Sequence, residues 1–175
     1  MARTCAAAAR AAHLVYTISV RLRPPDPVYL TLLQRYPAAI RRLALAARRA
    51  ILEEIHASGT PQPGEFIYEV YTIANHFSFT GRPGDSFIFT TTHAAWVNLG
   101  FSFGAFLADP AGLMRGDGKR IRHIRVAQPS DLSAPGVRDL IRAAIARAER
   151  PEEKAIRPGT VVHTKQSAGK RSSRS

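Results

Sequence analysis

Cysteine is nearly absent from this chain: Cys5 is the only one among 175 residues. One thiol cannot close an internal disulfide or supply a CxxC metal site, so both are excluded. Long apolar runs are missing too. No stretch of about 18 uninterrupted apolar residues occurs, which excludes a membrane-spanning helix. Acidic residues are few, 13 against 25 Lys and Arg, for a formal net charge of +12. The histidines lack HxH, HExxH and Cys-His spacing, and the serines lack a GxSxG elbow. Gly118-Lys119 is followed by Arg120 rather than Ser or Thr, so there is no Walker loop. No catalytic constellation is legible, and the chain reads as a binder rather than an enzyme. The composition suits a reducing compartment and a cytoplasmic protein.

Hydrophobic residues make up 45% of the chain, enough for a packed core in one domain. The positive charge is concentrated at the ends. Residues 1–27 carry four arginines against Asp26, and residues 158–175 carry four cations and no acid. Arg10 and His13 interrupt the apolar run that a secretory signal needs, so 1–27 is expected to be a poorly ordered extension, with an organelle transit peptide as the weaker reading. Pro24, Pro25 and Pro27 mark the boundary of a domain spanning 28–157. The tail 158–175 lacks the apolar area to offset its chain entropy and is expected to be disordered. Basic tails of this kind offer weak, salt-sensitive nucleic-acid contact.

Within 28–157, Ile40, Leu43, Ala44, Ala47, Ile51 and Ile55 recur at helical spacing and predict a helix over 38–57. Arg41, Arg42, Arg48 and Arg49 are assigned to its opposite side, and Ser58-Gly59 to its end. Tyr29, Leu32, Leu33 and Tyr36 suggest a short helix before it. Val137, Leu140, Ile141, Ala144, Ile145 and Ala148 predict a closing helix, with Arg138, Arg142, Arg147 and Arg150 as its solvated side. Between the helices the period changes to two. Strands are expected over 76–80, 86–92, 95–103 and 120–126, and 65–74 fits either state. The links are short, so neighbouring strands are antiparallel. The expected class is α+β: an antiparallel sheet of four to five strands, flanked by N- and C-terminal helices that cover one face.

Residues 97–126 carry a contiguous pattern: Val97-Asn98-Leu99-Gly100-Phe101, Gly104-Ala105, Asp109-Pro110, Gly116-Asp117-Gly118-Lys119 and Arg122-His123. This pattern resembles the central signature of the YdhG-like domain family, and the resemblance extends over roughly 28–150. It implies a small α+β domain with an antiparallel sheet and flanking helices. Some relatives are described as frataxin-like iron chaperones, so iron enters as a cofactor by resemblance only.

The strongest local feature is Gly116 to Arg125, where Lys119, Arg120, Arg122, His123 and Arg125 follow the glycines Gly116 and Gly118. Glycines admit close backbone approach, and guanidinium groups give forked hydrogen bonds to carboxylate or phosphate. An anionic small molecule is the expected ligand. The same charges would also blunt an edge strand against edge-to-edge pairing. Alternation separates Arg120 and Arg122 from Lys119, His123 and Arg125, so the five do not converge without a bulge. Trp96 and Asn98 share the face opposite the apolar stripe and join the candidate site, although burial of Trp96 under a helix or loop is the stronger reading. Asp109 before Pro110 reads first as a turn-forming residue and completes the set as a second reading.

Overall fold

The computed structural model describes residue 22 and residues 24–59, 68–71, 74–80 and 82–150, with 68–71 as backbone. The readings for residues 1–21, for residue 23 and for 151–175 lie outside the described residues.

Helix α1 (Pro27–Leu33) starts with Asp26 accepting the Val28 amide at 2.8 Å and with proline in its first turn. Helix α2 (Ala38–Ala57) covers the span its periodicity predicts. It stops where Gly59 takes φ 73°, a conformation that costs a glycine little. Five strands follow: β1 (Tyr68–Tyr71), β2 (Asn75–Ser78), β3 (Ile88–Thr92), β4 (Val97–Phe101) and β5 (Arg122–Val126). They form one antiparallel sheet in chain order. The ambiguous segment 65–74 contains β1, and the strands of 76–80, 86–92, 95–103 and 120–126 are each shorter than expected. A short 3-10 turn at Pro129–Ser133 leads into α3 (Pro135–Ala146).

Phe77, Ile88, Leu99, Phe101, Ile124 and Val126 line one face of the sheet, and α2 and α3 cover it with Ile51, Ile55, Ile141 and Ile145. All are buried. Alternation therefore sends His76, Phe89, Thr91, Asn98, His123 and Arg125 to the other face. They remain half-buried or exposed, and among the described residues no helix packs on them.

Two arginine assignments, those of Arg48 and Arg138, are corrected by the packing. Arg48 is 4% exposed, and its guanidinium donates to the Pro24 carbonyl at 3.2 Å, which ties the chain before α1 to α2. Arg138 donates to the carbonyls of Leu132 and Ala50 and to Glu53 and Glu54, while Arg142 reaches Glu54 and Asp139. Both side chains join α3 to α2, but only Arg138 is drawn inward, while Arg142 stays exposed on the solvated side. Periodicity assigns a direction but cannot see a carboxylate 84 residues away in the chain.

Candidate functional site

The register sets the lateral order on the uncovered face. His76 pairs with Phe89, Phe89 with Gly100, and Gly100 with His123. Gly100 has room for no side chain, because a Cβ there would lie 2.3 Å from the Phe89 ring. The Phe89 ring thus lies over the strand and forms the floor of a groove of about 340 Å³. His76, Ser86, Ser102, Arg120, Ile121 and Gly84 complete its lining.

Two loops build the walls. On one side the β2–β3 turn is closed by Thr80 donating to Asp85 at 2.6 Å and by the Arg82 amide donating to Thr80. That places Gly84 at the rim. On the other side, the Ala105 amide donates to the Arg120 carbonyl at 2.9 Å. Gly104 permits this approach, since a Cβ would meet that of Arg122 at 2.5 Å. The Arg120 guanidinium lies 4.4 Å from the centre of the Phe103 ring. The contact with the ring anchors the guanidinium, whose N–H groups can still pair with an anion. Ile121 is 51% exposed, unusual for a large apolar side chain, and it adds an oily wall beside that cation.

His76 has a defined proton arrangement. Ser86 Oγ donates to the Ile88 carbonyl at 3.0 Å, which uses its one proton. The 3.3 Å contact between His76 Nδ1 and Ser86 Oγ is then a bond donated by the imidazole. Nε2 carries the lone pair and has no hydrogen-bond partner among the described residues. A serine nucleophile needs the opposite polarity, with the imidazole accepting its proton. Ser86–His76 is therefore a positioning pair.

Burial lowers the pKa of His76 below its ordinary 6.5. The unfolded chain then takes up a proton that the folded chain resists, so stability is complete above about pH 6.5 and declines as pH falls below it. We expect urea midpoints to fall between pH 7.5 and 5.5, and the His76→Gln variant to lose that slope. An unchanged slope would contradict the assignment. In Glu53 burial acts upward, but hydrogen bonds and charge from Arg49 and Arg138 prevail and lower its pKa. Asp131, pushed up by burial, is likewise held low by the amides of Ala127 and Gln128. Those carboxylates lose their contribution only below about pH 4.5, outside this window.

The residues expected from sequence divide among separate places. Trp96, Asn98 and Arg125 do meet. Trp96 Nε1 donates to Asn98 at 3.0 Å, Asn98 Nδ2 lies 3.2 Å from His93 Nε2, and His93 stacks on the indole at 4.8 Å. Arg125 sits 4.1 Å from the indole centre. Trp96 is thus packed by a neighbouring imidazole and guanidinium on the open face and not under a helix. Asp109 receives the amides of Leu113 and Met114 at 3.0 and 2.8 Å, which closes its loop. Gly116 adopts φ 109° beside the bridge between Arg115 and His123. Arg122 turns back onto the carbonyls of Gly118 and Ile121. Lys119 and Gly118 are exposed, and His123 is half-buried next to Gly116. Of the ten residues, Arg120 alone lines the groove.

His76 and His123 share a lateral row but stand three strands apart, about 14 Å at the usual strand spacing. Among the described residues no three His, Cys, Asp or Glu side chains are grouped so as to hold a metal ion. No described helix is long and apolar enough to cross a membrane.

No family model matches this chain, and neither does a curated protein or a solved structure. The geometry of the open face is accordingly the basis for a functional reading. His76, Gly84, Ser86, Phe89, Ser102 and Ile121 are the groove residues that sequence reasoning missed. They come from four separate stretches, and only strand register brings them together. The one visible signal was the alternation that places His76 and Phe89 opposite buried neighbours.

Proposed function

We propose that the chain is a non-enzymatic binding or carrier protein that holds a small organic anion in the groove on the uncovered sheet face. The observation that carries this reading is Arg120, stacked on Phe103 beside the apolar Phe89 and Ile121. A cation presented over an oily floor suits a ligand with one charged end and one apolar body. The site moves from the glycine loop of 116–125 to the groove whose rim that loop supplies. We further propose that the chain is a YdhG-like domain acting in the cytoplasm, on the strength of the pattern over 97–126.

The other arginines of this region support the choice. Arg125 lies over the Trp96 ring on the open face, and Arg122 closes its own loop. A Trp96 ring covered in this way is a poor stacking platform for a nucleobase, which counts against reading the open face as a single-strand interface. The iron reading lacks a ligand group among the described residues.

Thermal shift of the full chain with benzoate, phosphate and short oligonucleotides tests the proposal. Benzoate is expected to raise Tm by mass action. Arg120→Gln should weaken it about tenfold or more, the usual loss for a hydrogen bond to a charged group. Arg115→Ala, outside the groove, should not. A response confined to oligonucleotides, abolished by salt and indifferent to Arg120→Gln, would replace this reading with backbone binding through the basic ends.

A further inference from the structure

We infer that the groove selects a hydroxylated aromatic carboxylate, with the carboxylate on Arg120, the ring on Phe89 and Ile121, and the hydroxyl donating to His76 Nε2. This rests on the groove being the anion site proposed above, and it names the ligand class.

Size comes first. At about 30 Å³ for each water-sized group, 340 Å³ admits on the order of ten non-hydrogen atoms. That is a single substituted ring and excludes a nucleotide or a lipid chain from full enclosure. Shape follows from the floor. Phe89 lies flat enough over Gly100 that a Cβ would strike both its Cε2 and its Cζ, so a planar body rests on it without a gap.

Polarity is the deciding argument. The groove offers one cation, at Arg120, and Ser86 has its proton committed to Ile88. His76 is fixed as the Nδ1–H form by Ser86, so its remaining nitrogen can only accept. Burial keeps that imidazole neutral at pH 7 and preserves the acceptor. A ligand without a donor leaves Nε2 stripped of water and unpaired, a penalty that a phenolic hydroxyl removes. A site built around an acceptor therefore discriminates against the analogue that lacks the hydroxyl. His76 and Phe89 also pack ring to ring, with centres 5.3 Å apart, which holds the acceptor beside the floor.

The experiment is calorimetric titration of the full chain with benzoate and with 3- and 4-hydroxybenzoate. The isomer whose hydroxyl reaches His76 is expected to bind at least fivefold tighter than benzoate. His76→Phe should remove that preference, so that benzoate and both hydroxy acids bind alike, and Arg120→Gln should weaken all three acids. Nitrogen NMR of the His76 ring in the unmodified chain provides a readout that does not depend on a variant folding. Nε2 is expected to report as unprotonated in the free protein and to shift on adding the preferred hydroxy acid only. Equal affinities with a stationary Nε2 signal would overturn the role of His76, while dependence on Arg120 would keep the anion groove. Binding unaffected by Arg120→Gln, or no binding of any acid, would overturn both.

Discussion

Glu54→Ala is expected to lower stability by about 2–3 kcal/mol, or roughly 6–12 °C in Tm for a domain of this size. The Glu54 side chain is 11% exposed on α2 and accepts Arg138 Nη1 at 3.3 Å and Arg142 Nη1 at 2.8 Å. Arg138 is the more important partner, being 24% exposed and also bonded to Ala50 and Leu132. Removing the carboxylate leaves that guanidinium largely desolvated with only Glu53 to balance it. An uncompensated buried charge is where breaking an ion pair costs most. The figure lies below that for a fully buried pair because Arg142, half in water, can rehydrate. Glu54→Gln keeps the volume and one acceptor, and should lose about half as much. Urea unfolding of both variants measures this. A change below about 0.5 kcal/mol in Glu54→Ala would mean that the α2–α3 seam stands on its apolar contacts alone.

Gly100→Ala is the second large effect, and it couples stability to binding. The new methyl would lie 2.3 Å from the Phe89 ring, so the ring must leave its place or the strands must part. Forced repacking of this kind costs about 1–3 kcal/mol. The displaced ring would also close or empty the groove floor, so benzoate affinity should fall together with stability. A double-mutant cycle isolates the cause. In a Phe89→Ala background the methyl has space, and Gly100→Ala should then be nearly neutral, aided by the better strand propensity of alanine. A penalty of the same size in both backgrounds would show that Gly100 is required for a reason other than Phe89.

Where sequence reading succeeds and where it stops follows from how far each interaction reaches along the chain. The stripe from Ile40 to Ile55 repeats every turn, so α2 was legible together with its stop at Ser58-Gly59. The same holds for α3. Short links between alternating segments required antiparallel neighbours, and the sheet does run in chain order. The segment 65–74 stayed ambiguous because a four-residue strand is too short for its period to register.

The candidate site was legible only in part. Arg120 was recognised as a cation near glycines, and Asp109 was recognised as a loop residue with a second reading as a ligand group. What the fold assigned was their partners. Arg48 and Arg138 carry the same charge as Arg42, yet they are drawn inward by a carbonyl at Pro24 and by the carboxylates of α2. No local pattern distinguishes the three.

By itself, then, the sequence determined the elements, their order and the face each presents, since these depend on neighbours within a turn or a pleat. Tertiary structure alone decided that His76, Phe89, Ser102 and Arg120 share one groove. Strand register and the approach of the 103–121 loop set distances between residues up to 44 positions apart, and those distances depend on packing that no single segment contains.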